Sequence, residues 1–282
     1  LCGARSEGVN SNFTHSLTAR PVANTGDRRI LILCAASAAR GEIMSEAMRV
    51  SVEVIFNIAY LIVVWGLVGL MAMRFHQVDE ANRKVAKRFV LAFALLALGD
   101  TGHVGFRVIA YARGGLEANP ALVGAGALST AYTVTLFYML MVDVWRLRYN
   151  KPLGAFGVGL LAAGVARLIV MLFPQNEWWQ VIAPYNWSLL RNAFLVVQGV
   201  GVMALILRDA IKQNDRPFIW IGAMIALSYL FYAPVILWAQ AMPMLGMLMI
   251  PKTCAYVAIA IIVYRALYRP SMRHMGSPAP AH

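Results

Sequence analysis

Seven apolar stretches, at about 51–73, 88–112, 119–145, 152–173, 186–208, 217–240 and 243–268, occupy most of this chain. Each exceeds the ~18 residues that mark a membrane-crossing helix, and the polar residues collect between them. A bilayer interior offers no water to backbone N–H and C=O groups, so a spanning segment must be a helix or a strand of a closed barrel. A barrel needs short segments of alternating polarity, and none is present. The chain is 60% hydrophobic and 13% charged, whereas a soluble domain has roughly 25% charged residues. The expected fold is therefore all-α: a polytopic membrane protein with one seven-helix transmembrane bundle over residues 44–273 and a flexible tail at 274–282.

Lysine and arginine in the loops predict the orientation. Arg74, Arg83, Lys84, Lys87 and Arg88 follow the first span; Arg146, Arg148 and Lys151 follow the third; Arg208, Lys212 and Arg216 follow the fifth; Arg265, Arg269 and Arg273 follow the seventh. The opposite side offers Arg49 and Arg113. The basic side is expected to be cytoplasmic, which puts the N-terminus outside and the C-terminus inside an inner (plasma) membrane. The formal net charge of +12 is then mostly a topology signal, and no nucleic-acid partner is expected. Trp178, Trp179 and Trp187 are read as an interfacial aromatic belt.

Residues 1–43 differ from the rest. The first methionine is Met44, immediately before the first span. The expectation is a disordered leader upstream of a natural start at Met44, although Arg28-Arg29 followed by ILILCAASAA has some signal-peptide character. Cys2, Cys34 and Cys254 show no metal or disulfide spacing.

Ionisable residues within the spans point to function, because at that depth each costs several kcal/mol unless it is paired or lines a cavity. Asp100, His103 and Arg107 lie in the run FVLAFALLALGDTGHVGFRVIAYA, at offsets of three, four and seven that share one helix face. A rise of ~1.5 Å per residue puts Asp100 roughly 18 Å and His103 about 22 Å from the inner surface. Arg107 falls near the outer boundary. Arg167 falls in the outer half of helix 4, and Asn186, Arg191 and Asn192 in the first turns of helix 5, with Gln198 near its middle. Lys252 lies roughly 13 Å into helix 7. Glu53 and Asn57 are one turn apart near the outer end of helix 1. Asp143, near the inner boundary, is the main exception to this outward bias. Ala155, Gly159, Ala163 and Arg167 recur every four residues, which predicts that Arg167 faces protein.

These residues predict an outward-facing polar pocket with Asp100, His103, Arg167 and Lys252 at its core and Arg191, Asn192, Arg107 and Asn186 as its rim. Glu53 and Asp100 supply two negative charges against four positive ones from Arg107, Arg167, Arg191 and Lys252. The natural complement is a small anionic solute or a lipid headgroup, bound and then transported or sensed. The alternative is a neutral Lys252. Pro234 in YLFYAPVILW and Pro251 before Lys252 bend or break helices 6 and 7, as is common beside cavities.

Three other readings remain open. A lipid-modifying enzyme could use Asp100 and His103 as its catalytic pair. Zinc hydrolases of the ceramidase and adiponectin-receptor type need several intramembrane histidines. Only His103 lies within a span, so no metal is expected. A lysine inside helix 7, with Tyr229, Tyr232 and Pro234 in helix 6, resembles the retinal pocket of microbial rhodopsins. That resemblance implies a Schiff base at Lys252. The family's usual aspartate four residues before the lysine is Leu248 here, and helix 3 has no carboxylate at mid-depth. No cofactor is assigned. The last reading is a purely structural ion network, with Asp100 paired to Arg167 or Lys252.

Overall fold

The computed structural model describes residues 25–269. The chain divides into two units between Ser51 and Val52, and the second contains the helical bundle. The long helices of the described chain are α1 (Thr25–Met73), α2 (Glu80–Ala112), α3 (Pro120–Tyr149), α4 (Gly154–Met171), α5 (Tyr185–Lys212), α6 (Arg216–Trp238) and α7 (Met249–Val263). A 3-10 segment (Pro243–Leu248) leads into α7, and a short π-helical segment (Tyr264–Tyr268) extends it. The expected leader overlaps α1, which starts at Thr25; residues 1–24 and the expected tail at 274–282 lie outside the described residues. Among the described residues, seven helices are long and apolar enough to cross a membrane, with the first such span at Val50–Met73 and the last at Met244–Tyr268. There is no strand among the described residues. The described chain is all-helical, and its seven candidate spans suggest a multi-pass membrane protein.

Several helices outrun their apolar stretches. Helix α2 starts at Glu80, ahead of the apolar run at 88, because Glu80, Arg83, Lys84 and Lys87 are good helix formers that need no lipid. Helix α3 continues to Tyr149 and stops where Asn150 turns left-handed at φ 49°. Pro152 follows closely and cannot continue a helix. Helix α6 opens with Pro217 in its first turn, where a missing N–H costs nothing.

A chain of buried rings fills the core. Phe89 stacks on Phe93 of α2, and Phe93 meets Phe137 of α3, which stands edge-on to both Tyr138 and Tyr256 at centroid distances of 5.3 and 5.6 Å. Tyr138 then meets Tyr229 of α6 at 5.8 Å. The chain is phenylalanine toward the arginine-rich end and tyrosine toward the polar residues. Edge-to-face pairs of this kind add about 0.5–1.5 kcal/mol beyond area burial.

The arginine-rich end is tied by polar contacts. Asp143 pairs with Arg88 and, at 2.8 Å, with Arg146. Arg148 pairs with Asp215 at 2.8 Å and donates to Asn82. The Trp145 indole N–H donates to the buried Asp209 carboxylate at 2.8 Å. The sequence reading singled out Asp143 but neither Asp209 nor Asp215, which lie at helix ends.

Helix α4 differs in register from expectation. Its buried side is Gly157, Leu160, Gly164, Arg167 and Met171, while Ala155 and Gly159 are exposed. Arg167 faces protein as predicted, but the small residues that admit its neighbours are Gly157 and Gly164. The four-residue ladder drifts around a 3.6-residue helix; alternating steps of three and four do not.

Candidate functional site

Close approach of α2 and α3 builds the site. Gly99 and Gly102 of α2 lie against Thr133 and Ser129 of α3, and Gly126 of α3 lies against the His103 backbone. Small residues let helix backbones approach in this way. The approach brings Thr130 Oγ1 to 2.7 Å from Asp100 Oδ1. From α1, the Tyr60 hydroxyl donates to Asp100 Oδ2 at 2.6 Å. Both carboxylate oxygens therefore accept hydrogen bonds from hydroxyl groups.

Along the same face of α2, Arg107 pairs with Glu53 of α1 at 2.7 Å. Between Arg107 and Asp100 stands His103. Its Nδ1 is buried and has no hydrogen-bond partner among the described residues. Asp100, Glu53, Arg107 and Lys252 are all within electrostatic reach of the imidazole.

Arg167 is 2% exposed and reaches across three helices. Its Nε donates to the Arg191 carbonyl of α5 at 2.9 Å. Its Nη1 donates to the Ala131 carbonyl at 3.2 Å and to Thr135 Oγ1 at 2.6 Å, both on α3. All three acceptors are uncharged.

Lys252, in the first turn of α7, is held differently. Its ammonium lies 4.4 Å from the centroid of Tyr232 and 5.7 Å from that of Tyr256. It makes no hydrogen bond or ion pair among the described residues. Tyr232 links the cluster: its ring faces Lys252, while its hydroxyl donates to Asn192 Oδ1 at 3.0 Å. Tyr138 and Tyr256 share a hydroxyl–hydroxyl bond of 2.7 Å beside it.

The expected rim divides. Asn192 joins the cluster through Tyr232, and Arg107 through Glu53. Arg191 is buried elsewhere, under the α4–α5 connection: it donates to Asn176 Oδ1 at 3.1 Å and lies 4.5 Å from the Trp178 ring. Asn176 is fully buried and its amide donates to the Val170 and Phe173 carbonyls at the end of α4. The Trp178 indole donates to the Met171 carbonyl. Trp178 is thus a packing residue of this connection. Trp179 is 55% exposed, and Trp187 packs on Phe173 at 5.8 Å. Asn186 is exposed at the start of α5, apart from the cluster. Gln198 is fully buried, with neither amide atom bonded among the described residues.

Sequence reasoning singled out the charged members but missed most of the hydroxyls that hold them. Tyr60 had a signal: it follows Glu53 and Asn57 at helical spacing, so it shares their face. Tyr256 lies one turn after Lys252. Thr130, Thr135 and Asn176 had none.

Among the described residues no three metal-ligating side chains converge. No family model, no curated protein and no solved structure matches the chain.

Proposed function

We propose that this protein binds a small anionic molecule, a solute or a lipid headgroup, in an intramembrane polar pocket that opens outward from an inner (plasma) membrane, and that it transports or senses that molecule. The loop charges support this orientation, with the N-terminus outside and the C-terminus in the cytoplasm.

The observation that carries the proposal is the state of the cations. Glu53 neutralises Arg107. Arg167, Arg191 and Lys252 form no ion pair among the described residues, and the remaining carboxylate of the cluster, Asp100, accepts from Tyr60 and Thr130 instead. Three cations without an ion pair thus stand against one remaining carboxylate, and unpaired charge held away from water is expensive. A bound anion is the natural compensation. Lys252 supplies three donors not used by protein acceptors, and tyrosine hydroxyls lie beside it.

A ligand that binds only the folded protein stabilises it, by about 2.7 kcal/mol at one hundred times its dissociation constant. Phosphate and short carboxylates should therefore raise the unfolding temperature of the purified protein more than chloride at matched ionic strength. Lys252→Met should abolish the difference. An identical response to all these salts, or an undiminished one in the variant, contradicts the proposal.

A further inference from the structure

His103 is the histidine of the cluster, and the protein leaves its imidazole unbonded: Nδ1 is buried without a hydrogen-bond partner among the described residues. Charged and titratable groups reach it from three helices. On its own helix, Asp100 lies one turn before it and Arg107 one turn after. From α1, Glu53 pairs with Arg107 at 2.7 Å and Tyr60 donates to Asp100 at 2.6 Å. From α7, Lys252 is within electrostatic reach. Helix α3 brings no charge here: Gly126 lies against the His103 backbone, and Thr130 donates to the second Asp100 oxygen at 2.7 Å.

These contacts leave one place for a mobile proton. A proton on either Asp100 oxygen would meet a hydroxyl that already donates there. A proton on Glu53 would break its pair with Arg107. The imidazole has no such bond to lose, and histidine is the side chain that ordinarily changes charge between about pH 5 and 8.

The same contacts decide what the imidazole feels. Of the two cations in its reach, Arg107 is paired and Lys252 is not. Lys252 therefore opposes a proton on His103 with an uncompensated charge, while Asp100 favours one. An anion on Lys252 cancels the opposition and leaves the attraction of Asp100. Such effects are strong where water is scarce.

We propose that anion binding at Lys252 is coupled to uptake of one proton, which passes from solvent to the bare ring nitrogen of His103, so that the pocket takes anion and proton together. This rests on the anion-pocket reading above and adds a second ligand to it. The coupling is reciprocal: the anion favours the proton, and the proton favours the anion. Anion affinity therefore rises as pH falls.

The test uses the purified full chain and acetate, which stays ionised above about pH 6, with chloride holding the ionic strength constant. The dissociation constant is read from the rise of unfolding temperature with acetate concentration. It should fall by about five-fold or more from pH 8 to pH 6; one linked proton allows at most about ten-fold per pH unit. His103→Gln should bind acetate with an affinity that no longer changes over that range. Nitrogen NMR of the histidine-labelled parent at pH 7 decides the matter if that variant does not fold. Acetate should convert one imidazole from the neutral to the charged form, and Lys252→Met should abolish the conversion. Acetate binding that ignores pH, or that leaves every imidazole unchanged, overturns the coupling and leaves the anion pocket standing. So does a pH dependence that persists in His103→Gln, which would put the proton on Lys252 itself. No acetate binding at any pH overturns both.

Discussion

Arg167 uses its Nε and Nη1 on two backbone carbonyls and the Thr135 hydroxyl, whereas Lys252 touches only aromatic faces. The two cations should therefore respond oppositely to removal. Hydrogen bonds to a charged group contribute about 1.5–3 kcal/mol each in soluble proteins, although interhelical bonds in membranes average nearer ~0.6 kcal/mol. Arg167→Gln should thus destabilise the protein by about 2 kcal/mol, because it leaves buried carbonyls on α3 and α5 unpartnered. For Lys252→Met the lost cation–π contacts, about 0.5–2 kcal/mol, are set against relief of an unpaired charge held away from water. Its unfolding temperature without ligand should be unchanged or higher. Thermal unfolding of both variants in anion-free buffer checks the contrast; a large loss of stability in Lys252→Met would make that lysine structural. The charged residues were visible in the sequence because charge is conspicuous in an apolar run. Their partners were not. Tyr60 and Asp100 are 40 residues apart, and a tyrosine in an apolar span reads as packing until its hydroxyl is seen to be bonded.

The elements divide between helices, whose existence was legible, and one connection that was not. Hydropathy marks where lipid contact is required, so it found all seven spans but not the polar ends of α2 and α3, which stay helical outside the apolar runs. The α4–α5 connection carried no comparable signal. Its trio of polar and aromatic residues, Asn176, Trp178 and Arg191, lies on separate elements, and Trp178 had an ordinary interfacial reading. The structure gives this connection a firm seat: a Cβ built on Gly124 would lie 1.3 Å from the Trp178 carbonyl oxygen and 2.4 Å from its carbon. Those are backbone atoms, so no side-chain rotation relieves the clash. Gly124→Ala should displace the connection and cost about 2 kcal/mol, within the usual range for overpacking. It should also speed limited proteolysis between residues 172 and 184. An alanine variant as stable and as protease-resistant as the parent would show that the contact is loose. The same reasoning explains the register of α4: a four-residue repeat of small residues looked like the packing side, but the buried positions follow the helical period to Gly157, Gly164 and Arg167.

At the scale of the whole molecule, polar contacts gather at two levels. At the arginine-rich end Asp143 and Asp215 pair with arginines and Asp209 accepts from the Trp145 indole, so each of these carboxylates has a partner and ties helices together. Away from that end it is the cations that lack partners: Arg167, Arg191 and Lys252 form no ion pair among the described residues. The sequence already showed the excess of cations as a count. The structure adds that the Glu53–Arg107 pair removes one cation from consideration and that Arg191 is engaged with Asn176 and Trp178, which leaves Lys252 as the cation with no polar partner among the described residues. The central claim is that an anion completes this cluster. Native mass spectrometry of the gently purified full chain, parent and Lys252→Met side by side, tests it without a guess at the ligand. The account predicts a stoichiometric anionic adduct on the parent that is absent from the variant; a parent free of anionic adducts, or the same adduct on both proteins, would contradict it.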